Sequence, residues 1–154
     1  MEPSGRPEGL TVWKDLCEVV DTVRLAVNRE LQQHAGVTLA ENLVLCHVAM
    51  APERRLRMVD IAGLLAIGKS AVTKTVDRLE ERGLLERRRD AADRRTVYAA
   101  LTDEGAQVFT CAQPAFADAV DRYFSALFSD AELRQMKAAA ARVRHLVAQQ
   151  APAL

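Results

Sequence analysis

The chain has 154 residues, 49% of them hydrophobic, enough for a single compact domain with a real core, and this excludes disordered and collagen-like chains. Aromatic residues make up only 5% while Ala, Leu, Val, Arg and Glu recur, which favours helices over a sheet sandwich. Net charge is zero but polarised: residues 53–95 hold twelve Lys and Arg against eight Asp and Glu, a local +4 that leaves −4 elsewhere, as a segment facing phosphate requires.

In chain order, Trp13, Leu16, Val20, Val23, Val27 and Leu31 recur at steps of three and four, predicting an amphipathic helix over about residues 11–33 that Gly36 stops. Thr38 and Glu41 form a capping-box pattern opening a second helix with Leu43, Val44 and His47, closed by Pro52. After the basic run 54–57, Val59, Ile61, Leu64 and Leu65 fit about two helical turns, broken at Ile67 and Gly68. A further helix then buries Val72, Val76 and Leu79 and closes at Gly83.

Residues 84–89 read as extended, 91–94 as a turn and 96–101 as a β-branched return strand, together a charged hairpin. Thr102 is placed to cap a long helix reaching about Phe128, kinked at Pro114. Ser129 and Glu132 form a second capping box, and Leu133, Met136, Ala140, Val143 and Val147 make a heptad-like seam beyond it. On a terminal helix of so short a chain, such a seam is expected to meet a second copy, the alternative being the chain's own first helix.

Helix, tight turn, helix and charged hairpin between residues 58 and 101 define a winged helix-turn-helix. A recognition helix needs a packed inner face to fix its angle and an outer face of short polar and basic side chains to reach base edges. Val72, Val76 and Leu79 supply the first; Lys69, Ser70, Thr73, Lys74 and Arg78 supply the second. For any one of them the alternative is a solvated surface residue, and for Arg87 to Arg89 weak surface ion pairs.

The stretches 60–65, 70–74 and 76–84, with Glu86-Arg87-Arg88, Asp90-Ala91-Ala92-Asp93-Arg94-Arg95 and Leu101-Thr102-Asp103-Glu104-Gly105, resemble the MarR family. The close match covers about residues 58–105; the flanking helices agree in number and order. The resemblance implies a mainly α fold with a small β-wing, in which 36–105 is the DNA-binding lobe and 1–35 with 106–154 are dimerisation helices. It further implies a homodimer, usually a repressor, on a pseudo-palindromic operator, with recognition helices in successive major grooves and wings in the minor grooves. Arg88, Arg94 and Arg95 are then wing contacts to DNA, and Asp93 matches a wing aspartate that holds an arginine. Gly68 departs from the pattern, standing where an N-capping side chain is common.

Family members commonly release DNA on binding a small aromatic or phenolic anion, or on cysteine oxidation. Trp13, Arg24, His47 and Arg57 are the candidate ligand residues, since aromatic and cationic groups suit an aromatic carboxylate; the plainer reading puts Trp13 in a core or dimer interface and His47 in the core. Cys17 is the candidate thiol, although its helix has no tyrosine to hold a thiolate. The three cysteines are too few and too widely spaced for a disulfide framework or a cysteine zinc site, and read as buried small hydrophobes. No metal or cofactor is expected, because His34, His47 and His145 lack ligand spacing. No nucleophile elbow, phosphate loop or paired carboxylates suggest an enzyme, and a winged helix used only for protein contacts leaves the basic wing without a role. With no apolar run near the roughly 20 residues of a membrane span and no signal-like N-terminus, a cytoplasmic location is the default expectation.

Overall fold

The computed structural model describes residues 7–65 and 67–150. Helix α1 (Pro7–Ala35) ends where Gly36 takes φ +64°, a left-handed conformation that glycine adopts at no steric cost. Helix α2 (Leu39–Met50) opens on the expected capping box: the Glu41 amide donates to Thr38 Oγ1 at 3.1 Å and the Thr38 amide to Glu41 Oε2 at 2.8 Å. After a 3-10 turn at Pro52–Arg54 come strand β1 (Arg55–Arg57), helix α3 (Met58–Leu65) and helix α4 (Lys69–Glu81). Gly68 is the N-cap of α4 and supplies no side-chain bond, as its missing side chain dictates.

Strands β2 (Leu85–Arg89) and β3 (Val97–Leu101) form the expected hairpin, pairing antiparallel with Arg87 opposite Ala99. Thr102 caps helix α5 (Asp103–Tyr123) by accepting from the Gly105 amide at 2.9 Å, and α5 carries Pro114 in its interior while remaining one helix. The second capping box also forms, the Ser129 amide donating to Glu132 Oε2 at 2.8 Å ahead of helix α6 (Asp130–Gln150).

One element was not foreseen and two expectations need correction. The basic run before α3, to which the sequence assigns no element, contains a strand: β1 pairs antiparallel with β3, giving a three-stranded sheet in the order β1-β3-β2. Leu56 packs against the core while Arg55 lies 4.7 Å from the Tyr98 ring, a cation-π contact; three residues are too few for an alternating pattern to stand out. Helix α5 ends at Tyr123, not Phe128, because Phe124 leaves helical dihedrals and a 3-10 turn, Ser125–Leu127, follows. That turn keeps the apolar spacing helix-like, and the Phe124 and Phe128 rings pack across it at 5.2 Å. The cysteines are not buried: Cys17 and Cys111 are exposed and Cys46 is half-buried. Helices α1 and α5, which carry Cys17 and Cys111, bury only a narrow stripe on their own chain, and Cys111, one residue from the fully buried Ala112, is turned off that stripe.

Two apolar clusters hold the chain together. One joins Val44, Leu45 and Val48 of α2 to Ile61 of α3, Val76 and Leu79 of α4 and Leu85 of β2. The other joins Val27 and Leu31 of α1 to Leu39 and to Ala112 and Ala119 of α5. Helix α2 thus belongs to both, and each large side chain so buried contributes about 1.5–3 kcal/mol. Helix α6 buries none of its residues, so its seam does not pack on α1 of the same chain. Leu10, Trp13, Leu16 and Val20 of α1, and Val143, Leu146 and Val147 of α6, are all more than half exposed. Among the described residues, no helix is long and apolar enough to cross a membrane.

Candidate nucleic-acid interface

Helix α4 is amphipathic in the way a recognition helix must be. Val72, Thr75, Val76 and Leu79 are buried, which fixes its roll against α2 and α3, and Lys69, Ser70, Thr73 and Lys74 are exposed on the opposite side. The Thr73 hydroxyl donates to the Lys69 carbonyl at 3.0 Å, leaving its oxygen lone pairs outward. Lys69 and Lys74 have no ion pair among the described residues, so both ammonium groups are available to an external anion.

Arg78 is exposed, as expected of the outer face, its side chain 56% accessible, and it also lies near a carboxylate of α2. Its Nε lies 3.7 Å from Glu41 Oε1, while Arg82 reaches Glu41 Oε2 at 3.4 Å and donates to the Gly36 carbonyl at 3.0 Å. Glu41 is only 4% exposed, and a carboxylate that buried requires paired charge, which these two arginines provide.

The wing turn is built by two aspartates. Asp90 Oδ1 accepts from the amides of Ala92 (2.8 Å) and Asp93 (3.0 Å), and these bonds hold its carboxyl below the usual carboxylate range. Asp93 Oδ1 accepts from the Arg95 amide at 3.0 Å and Oδ2 from the Thr96 hydroxyl at 2.9 Å. Asp93 therefore holds Arg95 by its main chain, not its guanidinium. Arg94 and Arg95 are exposed at the tip and have no ion pair among the described residues. Arg88 differs: it pairs with Glu86 two residues away on the same strand face, so its charge is partly offset.

The sequence alone does not reveal the contact that ties wing to helix. From β2, the Arg87 guanidinium reaches both Asp77 and Glu80 of α4, and its main-chain amide donates to Glu80 Oε1 at 3.0 Å. Burial lowers the Arg87 pKa, but the hydrogen bonds to the two carboxylates outweigh it and leave the pKa raised. Between helix and wing lies an open cleft of about 420 Å³ lined by Arg57, Thr73, Arg87 and Arg95. Arg57 is held by Asp60, whose hydrogen bond and charge raise its pKa.

The candidate ligand residues do not converge. Trp13 is 66% exposed near the start of α1, Arg24 lines a cleft between α1 and the start of α2 with Asn28 and Leu39, and Arg57 belongs to the wing-side cleft. His47 is half-buried in α2, and Cys17 is exposed on α1. Among the described residues no cluster of His, Cys, Asp and Glu is arranged to hold a metal.

A helix-turn-helix with a basic wing, set between long flanking helices, defines the class, and comparison with known proteins agrees. Residues 35–96 match the model described as MarR family. The HTH-type transcriptional repressor MdtR of Bacillus subtilis (strain 168) is 37% identical over 76 residues, 49% of this chain and 48% of that protein. The chain thus spans about half the length of that relative, and 64% of a second B. subtilis regulator. Among solved structures, Sco3205, a MarR family transcriptional regulator from Streptomyces coelicolor in complex with DNA, is 29% identical with a TM-score of 0.83, covering 97% of this chain and 95% of that one. CouR from Rhodococcus jostii RHA1, bound to p-coumaroyl-CoA, is 30% identical with a TM-score of 0.73, covering 83% and 87%. The chain belongs to the MarR family. Its named relatives are transcriptional regulators, not enzymes.

Proposed function

We propose that this chain is a sequence-specific DNA-binding transcriptional repressor that works as a homodimer. Residues 36–105 form the DNA-binding lobe, and 1–35 with 106–154 supply the dimer contacts. The observation that carries the reading is the exposed row Lys69, Ser70, Thr73 and Lys74 on a helix whose other side is locked in the core, beside a wing tip bearing Arg94 and Arg95, which are exposed and have no ion pair among the described residues. Short polar and basic side chains on a rigid helix suit base edges in the major groove, and arginines on a narrow hairpin suit the negative potential of a narrow minor groove. The exposed apolar faces of α1 and α6 favour a second copy, which sets two recognition helices about one turn of DNA, roughly 34 Å, apart.

The repressor sense is supported by the name of the B. subtilis relative, and release by a small aromatic effector by the p-coumaroyl-CoA bound to CouR. Selection of bound duplexes from a random pool tests the reading. A recovered pseudo-palindrome, bound with an affinity that falls steeply with salt at a log-log slope near −0.9 per phosphate contact, is the expected result. Recovery of no preferred sequence, with weak binding even at low salt, overturns it. A screen of aromatic acids and their thioesters against the recovered duplex then tests release.

A further inference from the structure

We propose that Arg87 is a positioning residue for DNA binding: clamped between Asp77 and Glu80 of the recognition helix, it sets where the wing arginines fall without contacting DNA. The proposal rests on the DNA-binding reading above.

The geometry is that of a buttress. In β2, an outer strand of the sheet, the Arg87 amide donates to Glu80 Oε1, so one α4 carboxylate receives both the main chain and the side chain of residue 87. The guanidinium spans Asp77 and Glu80, and its side chain is 28% exposed, against 59% for its neighbour Arg88. A guanidinium whose donors are divided between two carboxylates has few left for a phosphate. The contact joins the two elements proposed to enter neighbouring grooves, at the base of the hairpin and not at its tip.

That placement gives it leverage. The wing turn lies about five residues beyond Arg87, roughly 16 Å at the rise of an extended strand. A rotation of about 10° at the clamp therefore moves Arg94 and Arg95 by roughly 3 Å, more than a hydrogen bond tolerates.

The test measures affinity for the duplex recovered by the wild-type protein, over a range of salt, for Arg87→Met, for Arg94→Ala/Arg95→Ala and for the three combined. The expected result is a loss of about tenfold or more for Arg87→Met with an unchanged salt slope. In the variant lacking the wing arginines, the same change is expected to cost less than about twofold, because nothing remains to be placed. A salt slope shallower by about 0.9 makes Arg87 a phosphate contact and overturns the proposal, as does an equal loss in both backgrounds or no loss at all. Asp77→Asn/Glu80→Gln opens the clamp from the other side and carries the test should Arg87→Met fail to fold. Weakened binding that again depends on Arg94 and Arg95 supports positioning; unchanged or tighter binding by the freed Arg87 overturns it. Absence of wild-type binding to any duplex would instead remove the underlying reading, an outcome distinct from all of these.

Discussion

Gly105 approaches Leu84 so closely that a Cβ at position 105 would stand 2.0 Å from the Leu84 carbonyl oxygen and 2.9 Å from Leu101 Cδ1. The first turn of α5 is thereby pressed against the start of the wing, where the Thr102 hydroxyl also donates to the Gly83 carbonyl at 2.7 Å. Gly105→Ala is expected to destabilise the protein by at least the 1–3 kcal/mol of an overpacked core, since backbone has to move. Denaturant melts check this, and a variant as stable as wild type contradicts the contact.

The wing turn carries a pH dependence with a defined sign. Hydrogen bonds from the Asp93 and Ala92 amides lower the Asp90 pKa in the folded protein. A depressed folded pKa means stabilisation present above the unfolded value and lost as pH falls through the folded one. Acidification below the ordinary carboxylate range is therefore expected to loosen the turn, followed by the side-chain carboxyl carbon of Asp90 in NMR titration. Asp90→Asn retains the accepting oxygen and should keep the turn formed in acid; Asp90→Ala should open it at every pH. A midpoint at or above the ordinary value for Asp90 counts against this account.

Capping boxes and recognition helix were legible because their signals are local: a hydroxyl and a carboxylate three residues apart, and apolar residues at three- and four-residue steps. Strand β1 was not, since its three residues are defined by pairing with Ala99 and Tyr98 more than forty positions away. The ion pair of Arg78 with Glu41 was hidden for the same reason, its partner lying on another helix. Arg87 looked like one more wing arginine among three, and only the packing of β2 beside α4 separates it from Arg88 and Arg89. Exposure misled in the opposite direction for Cys17 and Cys111, because long helices with a single narrow buried stripe leave small apolar residues outside it.

A polar pair between the two apolar clusters makes a second stability prediction. Asn42 is 1% exposed; its Oδ1 accepts from Gln113 Nε2 at 3.3 Å, and its Nδ2 has no hydrogen-bond partner among the described residues. An unsatisfied buried donor carries a desolvation penalty of about 1–3 kcal/mol, which truncation removes. Asn42→Ala is accordingly expected to cost under about 1 kcal/mol, whereas Leu45→Ala, in the same helix and fully buried, should cost about 2–5 kcal/mol. Equal losses in thermal or denaturant melts would count against an orphaned donor at position 42.

On the DNA-facing surface the two groups of residues should fail differently. Thr73→Ala and Lys74→Ala are expected to reduce discrimination between the recovered duplex and random sequence by about 1–3 kcal/mol per base contact. Arg94→Ala and Arg95→Ala should weaken binding more uniformly and flatten the salt dependence by about 0.9 per lost phosphate contact. Thermal stability should stay near wild type for all four, since these side chains are exposed. Unchanged affinity for both wing variants removes the wing from the interface, and equal losses on every sequence reduce Thr73 and Lys74 to backbone contacts.

The flanking helices give the last prediction. Trp13 at 66% exposure, Leu10 at 63% and Leu16 at 55% lie on α1, and Val143 at 59% and Val147 at 58% lie on α6, a helix with no buried residue. Apolar surface of this extent on two helices is costly to leave in water, and stable interfaces between copies commonly bury about 1,600 Å² in total. Truncation after Ser129 removes one of the two faces and leaves the other bare, so light scattering should find the full chain dimeric and the truncated chain monomeric or aggregated. Trp13→Lys in the full chain should shift the dimer toward monomer without lowering the helix content seen by circular dichroism. A truncated chain that remains a stable dimer shows that α6 is dispensable, and the symmetric placement of two recognition helices must then come from α1 and α5.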